Sequence, residues 1–352
     1  MTINSNISEH NILVFGAAGF MGTYLVNELI KLGYKVTASD IDTSTTSYYQ
    51  EQNIPFIAID ITKASDFEKL NKDTYTTVIH LAAHQPANVS DSNDQPEKYI
   101  NVNVLGTLNI LKYCKNQQIK KIIYASSHRN TQGLWKNECA LTEDDGRLVK
   151  FDTEYTLFSI SETAAQDLVE YFCVQHNLQG IVFRLPPVYG YGPHTEIFKE
   201  GKPIKTGFQI FIDKAMSCEP IEVWGNCDTG RDIVYIKDVI NAFTLAIDNP
   251  VARGLYNISS GYKLSLLEEA ETIADVFWGN ESKPTIIKKP EIPNHIDSFY
   301  YNIKKAEKEL GWKPKFSFKE MLYDFIKETS SEKYKHLLTK RKNNIDQYTP
   351  NN

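Results

Sequence analysis

Three glycines spaced Gly16-x-x-Gly19-x-x-Gly22 follow directly on the apolar run Ile12-Leu13-Val14-Phe15. Residues without side chains let a backbone approach a pyrophosphate closely, and a helix opening near Phe20 and Met21 would aim free N–H groups and its positive end at the phosphates. The spacing predicts a buried strand, a tight turn and a helix that together bind a dinucleotide. A second strand, Tyr34 to Ser39, ends at Asp40, 24 residues after Gly16. An acid there can accept both hydroxyls of the adenosine ribose and repels a 2′-phosphate, so NAD is expected in preference to NADP. Glycines alone would also suit an unliganded turn; strand, glycines, helix, strand and acid in order argue against that. Arg231 follows a glycine turn and offers a planar fork for a pyrophosphate, or else pairs with Asp228 or Asp232 on its own turn. His128 follows Ser127 and could titrate near neutral pH, unless it is an ordinary surface residue.

Positioning these groups requires a scaffold, and the first half of the chain supplies the pattern of one. Strand-like runs at Ile54 to Ile59, Thr77 to Ala82, Ile119 to Ala125 and Gly180 to Leu185 alternate with helical stretches at Ala64 to Asn71, Pro96 to Gln118 and Phe158 to Asn177. Such alternation demands right-handed crossovers and a parallel sheet covered on both faces. After Pro193 the texture changes to short elements with glycine and proline turns. Helices are expected there at Gln209 to Ser217, Lys237 to Asp248, Leu264 to Trp278, Ile303 to Leu310 and Ser317 to Thr329. The expected layout is a cofactor domain over 1–193 with 232–258 partly returning to it, a substrate lobe over 194–329, and a loosely held polar tail over 330–352.

With 352 residues, 41% hydrophobic and 23% charged, the chain can bury a full core. A formal charge of −6 argues against a nucleic-acid partner, and no apolar run approaches the roughly 20 residues that span a bilayer. The polar start, Met1 to Asn11, lacks the apolar segment of a signal peptide. Five scattered cysteines without paired spacing read as reduced thiols, so a cytoplasmic location and no metal site are expected.

Several further motifs, in order, resemble the NAD-dependent epimerase/dehydratase enzymes of the extended short-chain dehydrogenase/reductase superfamily, which act on nucleotide sugars. The resemblance runs from about Asn11 to Lys327. It rests on Asp60-Ile61, on His80-Leu81-Ala82-Ala83, on Asn101 to Thr107, on Arg184 to Pro193, on Gly230 to Val239, and on Leu310-Gly311-Trp312-Lys313-Pro314. It implies an α/β fold of Rossmann type, a doubly wound parallel sheet with a smaller C-terminal lobe, and NAD as cofactor. Asp60 and Ile61 would hold the adenine; Leu81, Ala82, Ala83, Ser126, Pro186 and Val188 would line the cofactor, and Asn103 would prop the active-site helix. Ser127 would hydrogen-bond the reacting sugar oxygen, and His84 and Arg231 would face the substrate. It also implies a homodimer through two helices per subunit, to which Leu108, Leu111, Leu168 and Phe172 could contribute an apolar face unless they face the sheet.

The chain departs from this family where proton transfer is done. The family's Tyr-x-x-x-Lys falls on Phe158 and Glu162. A phenyl ring carries no exchangeable proton, and an ionised Glu162 would raise a neighbouring phenol's pKa. Tyr155, one turn earlier, is an alternative acid/base, although Ser159 at the lysine spacing supplies no charge. The Asp-Glu pair of the family's dehydratases is His128-Arg129 here, which disfavours 4,6-dehydration. Pro186-Pro187 replaces a common Phe-Asn, so the sugar end of the pocket has changed. An enzyme with an atypical active site, and an NAD-binding regulatory or assembly protein without turnover, both remain open.

Overall fold

The computed structural model describes residues 10–70, 75–86, 95–135, 139–192, 195–199, 202–278, 283–294 and 296–338. Strands β1 (Asn11–Phe15), β2 (Lys35–Asp40), β3 (Phe56–Ala58), β4 (Thr77–His80), β5 (Lys121–Ser127) and β6 (Gln179–Leu185) pair in parallel with a late strand, Gly254–Asn257. The order across this sheet is Gly254–Asn257, β6, β5, β4, β1, β2, β3. The chain reverses direction across the sheet between β1 and β4, so a crevice opens at the carboxyl ends of those strands. Side-chain alternation divides β1 between two cores. Ile12 and Val14 join a cluster with Leu25 and Phe243, whereas Leu13 and Phe15 join one with Leu111, Val169 and Phe172. Both faces of the sheet are therefore covered, as runs without polar alternation require.

Helix α1 (Phe20–Lys31) follows the glycine turn, and helix Ile236–Asp248 packs beside it. The latter's carboxyl end is closed by Lys121, whose Nζ donates to the carbonyls of Ala246 (2.9 Å), Ile247 and Asn249 (2.9 Å). An ammonium there satisfies three carbonyls left over by the last helical turn.

Several elements differ from the expectation. The stretch from Ala64 is a 3₁₀ segment, Ala64–Lys69, and Asn71 lies outside the described residues. Pro96 to Gln118 is not one uniform helix: Pro96–Lys98 leads into a π-helical stretch, Tyr99–Gly106, before an α-helix, Thr107–Asn116. At Gly106 an added Cβ would stand 2.6 Å from the Ile61 side chain, so the wide turn is seated against the β3 connection. The tail is folded as far as it is described. Tyr334 stacks on Tyr24 at 3.8 Å, His336 stacks on Tyr48 at 3.8 Å, and Leu337 is buried, so residues 330–338 dock on the cofactor half of the molecule. Aromatic pairing on α1 and on the Thr46–Glu51 helix outweighs the polar composition that suggested a loose end.

Leu111 and Phe172 are buried in the lower core, and Leu108 and Leu168 pack partly against it. All four therefore pack in the cluster that holds Leu13 and Phe15, with Leu108 and Leu168 keeping part of their surface exposed. The apolar residues that the same two helical stretches do expose are Ile100, Leu105, Ile160, Tyr171 and Val174.

Candidate active site

A cavity of about 900 Å³ opens at the reversal point of the sheet. Its floor is the glycine turn. Gly16 has φ +82°, and a Cβ there would stand 2.6 Å from the Ala82 nitrogen; at Gly22 it would stand 2.2 Å from the Gly16 carbonyl oxygen. A side chain at Gly16 would push the turn off the backbone that follows β4, and one at Gly22 would push α1 off the turn itself. Gly19, Phe20, Met21, Asp60, Ile61, Leu81, Ala82 and Ala83 line the same cavity. Asp40 closes the end of β2, where its carboxylate accepts the N–H of Ala18 (2.9 Å) and of Asp42 (3.0 Å). Asp60 accepts the Thr62 amide (3.0 Å) and hydroxyl (2.7 Å) and pairs with Lys63 (3.2 Å). Burial works to raise its pKa, but these partners outweigh it and hold the carboxyl below its usual range. This set fits a dinucleotide: a side-chain-free cradle, a helix N-terminus whose cap, Gly19, has no side chain to bond it, and an acid at the end of β2.

From Asp40 we expect NAD to bind roughly 10-fold or more tightly than NADP, with Asp40→Ala narrowing the gap. Calorimetry showing equal affinities for the unmodified protein would remove Asp40 from that role.

On the opposite wall, β5 delivers Ser126 and Ser127, and the 3₁₀ segment that follows it, His128–Leu134, delivers His128 and Arg129. Ser126 is buried; its hydroxyl donates to Gln166 Oε1 (2.8 Å) and accepts from Asn130 (3.0 Å). The Ser127 hydroxyl accepts the Arg129 N–H (3.2 Å) and keeps its own proton available. His128 corrects the expectation of a neutral-range base. Its ring lies parallel to Trp135 and Phe299 at 5.6 and 5.5 Å, and burial, then the charges of Arg129 and Arg231, hold its pKa well below the usual imidazole range. Nδ1 donates to the Leu185 carbonyl (3.0 Å), an acceptor only, so the ring is neutral with its lone pair on Nε2.

Helix Thr156–His176 brings Phe158 and Glu162 to the cavity wall, and Tyr155 stands at its N-cap on the same wall. Glu162 is buried and accepts the Tyr124 hydroxyl at 3.0 Å. Burial pushes its pKa up to about 7 despite that hydrogen bond. The Arg129 guanidinium lies 3.7 Å from the centre of the Tyr155 ring. Burial raises the Tyr155 pKa, and Arg129 opposes the rise.

Two expected site residues act behind the wall. Asn103 is buried in the π-helical stretch. It accepts the His84 N–H (2.7 Å), donates to the His84 carbonyl (2.9 Å) and to Ser161 Oγ (2.9 Å), and so ties the loop after β4 to the Thr156–His176 helix. His84 itself packs edge-on to Tyr99 at 4.6 Å, and its neighbours Gln85 and Pro86 reach the cavity instead.

The C-terminal lobe contributes Arg231. It does not pair with Asp232, which is spent on Ser260 and on the Tyr301 amide. Nη2 of Arg231 donates to the Tyr189 hydroxyl (3.0 Å), which donates in turn to Glu269 (3.2 Å). Tyr189 first and then Glu269 keep the guanidinium charged against burial. Pro186, Pro187 and Val188, which follow β6 in the chain, line the same cavity as Arg231. Sequence reasoning missed Glu269 and Trp135, which no local motif marks, and it placed Tyr189 only within the Arg184 to Pro193 motif, without its role beside Arg231.

The sequence model of the NAD-dependent epimerase/dehydratase family matches residues 12–259. A putative UDP-glucose 4-epimerase of Methanocaldococcus jannaschii is 30% identical over 310 residues, covering 88% of this chain and 95% of that protein. The dTDP-4-dehydro-6-deoxyglucose reductase of Escherichia coli is 25% identical over 312 residues, 87% of this chain and 93% of its own. Among solved structures, the UDP-glucose 4-epimerase of Thermotoga maritima with UDP-glucose superposes with a TM-score of 0.73 at 24% identity, covering 91% of this chain and 100% of that one.

Proposed function

This chain belongs to the NAD-dependent epimerase/dehydratase family, and from that premise we propose that it is an NAD-dependent nucleotide-sugar epimerase or related oxidoreductase with an atypical proton-transfer group. The observation that carries the reading is the single cavity shared by the glycine cradle, Ser127 and Arg231. Gly16, Gly22, Asp40, Asp60 and Ile61 would hold NAD. When bound, NAD supplies reversible hydride exchange with a carbinol carbon of the sugar ring, which in an epimerase ends with inverted configuration. Ser127 then donates a hydrogen bond to the reacting oxygen. Arg231, prepositioned by Tyr189 and Glu269, grips the diphosphate through its remaining N–H donors. Phe158 has no proton to exchange, and neutral, enclosed His128 can only accept one at Nε2. Of the two phenols on the wall, Tyr189 is tied to Arg231 and Glu269, which leaves Tyr155, with the charge of Arg129 on its ring.

A second reading, an NAD-binding subunit without turnover, is favoured specifically by Phe158 and Glu162 on the cavity wall. Both readings require cofactor binding.

A nucleoside-diphosphate sugar is expected to raise the melting temperature of the NAD-loaded protein, by preferential binding to the folded state. No shift across a broad panel, with a shift for an unrelated metabolite, would overturn the substrate class.

We also propose a homodimer, seated on the exposed Ile100, Leu105, Ile160, Tyr171 and Val174 of the two outer helical stretches. Light scattering should give twice the chain mass at micromolar concentration; a monomer there would refute the assembly. Among the described residues no helix is long and apolar enough to cross a membrane.

A further inference from the structure

We infer that Arg129 forms an anion subsite for a carboxylate on the sugar ring, so that the substrate is a nucleotide-linked uronic acid; this rests on the nucleotide-sugar reading above. The guanidinium lies face-on to Tyr155 at 3.7 Å, with Trp135 at 5.5 Å. Stacking occupies the face of the guanidinium and leaves its edge, with five N–H donors, for a planar bidentate partner. Among the described residues the Arg129 side chain makes no hydrogen bond and no ion pair, although it lines the cavity. The acids around it are committed elsewhere or too far to pair. Asp297 is held by Lys150 at 3.0 Å, and Glu154 influences Arg129 only at longer range. Glu269 is engaged through Tyr189 with Arg231, and Glu162 with Tyr124.

Two guanidinium groups thus line one cavity, and the charge of Arg231 disfavours that of Arg129. An anion beside each relieves that repulsion. Arg231 already has the diphosphate in the proposed function. The Arg129 guanidinium lies instead on the ring of Tyr155, the phenol assigned to proton exchange with the sugar. An anionic group beside Tyr155 is carried by the sugar ring rather than by the phosphates. A carboxylate replacing the exocyclic CH₂OH is the group that matches both the place and the bidentate edge.

Calorimetry on the NAD-loaded protein with glucose and glucuronate, each carried on UDP and on dTDP, tests this directly. The uronate is expected to bind roughly 10- to 100-fold more tightly than its neutral counterpart on the preferred base. Arg129→Gln should remove that preference while leaving neutral-sugar affinity within about twofold, and Arg129→Lys should retain part of it. Equal affinity for acid and neutral sugar in the unmodified protein overturns the subsite and leaves the nucleotide-sugar function standing. Equal weakening of both by Arg129→Gln also overturns it and moves Arg129 to the diphosphate. Binding of none of the four defeats the function on which the subsite rests. The unmodified protein decides between acid and neutral sugar even if the variants fail to fold.

Discussion

Replacing Phe158 by tyrosine and Glu162 by lysine together is expected to raise the rate of NADH formation from a bound nucleotide sugar by roughly 100-fold or more, the scale of a positioned acid/base. Both side chains lie on the cavity wall, one helical turn apart. The new phenol supplies an exchangeable proton, and the new ammonium lowers its pKa. Phe158→Tyr alone should achieve much less, because Glu162, half ionised near pH 7, disfavours the phenolate. Tyr155→Phe in the otherwise native protein is the counter-test. If it abolishes native activity, Tyr155 is the working acid/base, and the gain from the double change is what a phenol backed by an ammonium adds over it. High rates in both the native and double-substituted proteins, insensitive to Tyr155, would assign proton transfer to another group.

Glu162 also makes stability depend on pH. Its pKa rises from an ordinary 4.5 to about 7 in the folded protein because burial disfavours the carboxylate. The unfolded chain releases the proton first, so the stabilisation is full below about pH 4.5 and is lost progressively as pH rises to about 7. Over that window the loss amounts to about 3 kcal/mol, at about 1.4 kcal/mol per pKa unit. Glu162→Gln keeps an acceptor for Tyr124 and carries no titrating proton. The variant should match the native protein near pH 4.5 and melt roughly 4 °C above it at pH 8, with saturating NAD in both. A difference in melting temperature that does not change with pH would show that Glu162 titrates normally.

The cofactor half of the site was legible because its determinants are local: Gly16 to Gly22 is one turn, and Asp40 ends the next strand. Arg231 was legible as a candidate, but its partner was not. Tyr189 lies 42 residues from it, and Glu269 another 80 from Tyr189. His128 was misread for the same reason. Phe299, which helps enclose it, comes from the far end of the chain, and local sequence carries no sign of that burial. The π-helical turn at Tyr99–Gly106 was not legible because its determinant is not local. What sets it apart is Asn103, whose three hydrogen bonds reach two separate segments. The tail misled because composition hid Tyr334 and His336, each of which finds a ring to stack on.

Near-ultraviolet absorbance of reduced nicotinamide, followed after rapid mixing of the NAD-loaded protein with nucleotide sugars shown by calorimetry to bind, tests most directly whether this cavity performs chemistry. An enzyme of the proposed kind gives a rise in that absorbance with at least one such sugar. Tight binding of both NAD and sugar with no reduction by any of them would contradict the account and leave a cofactor-binding protein without turnover.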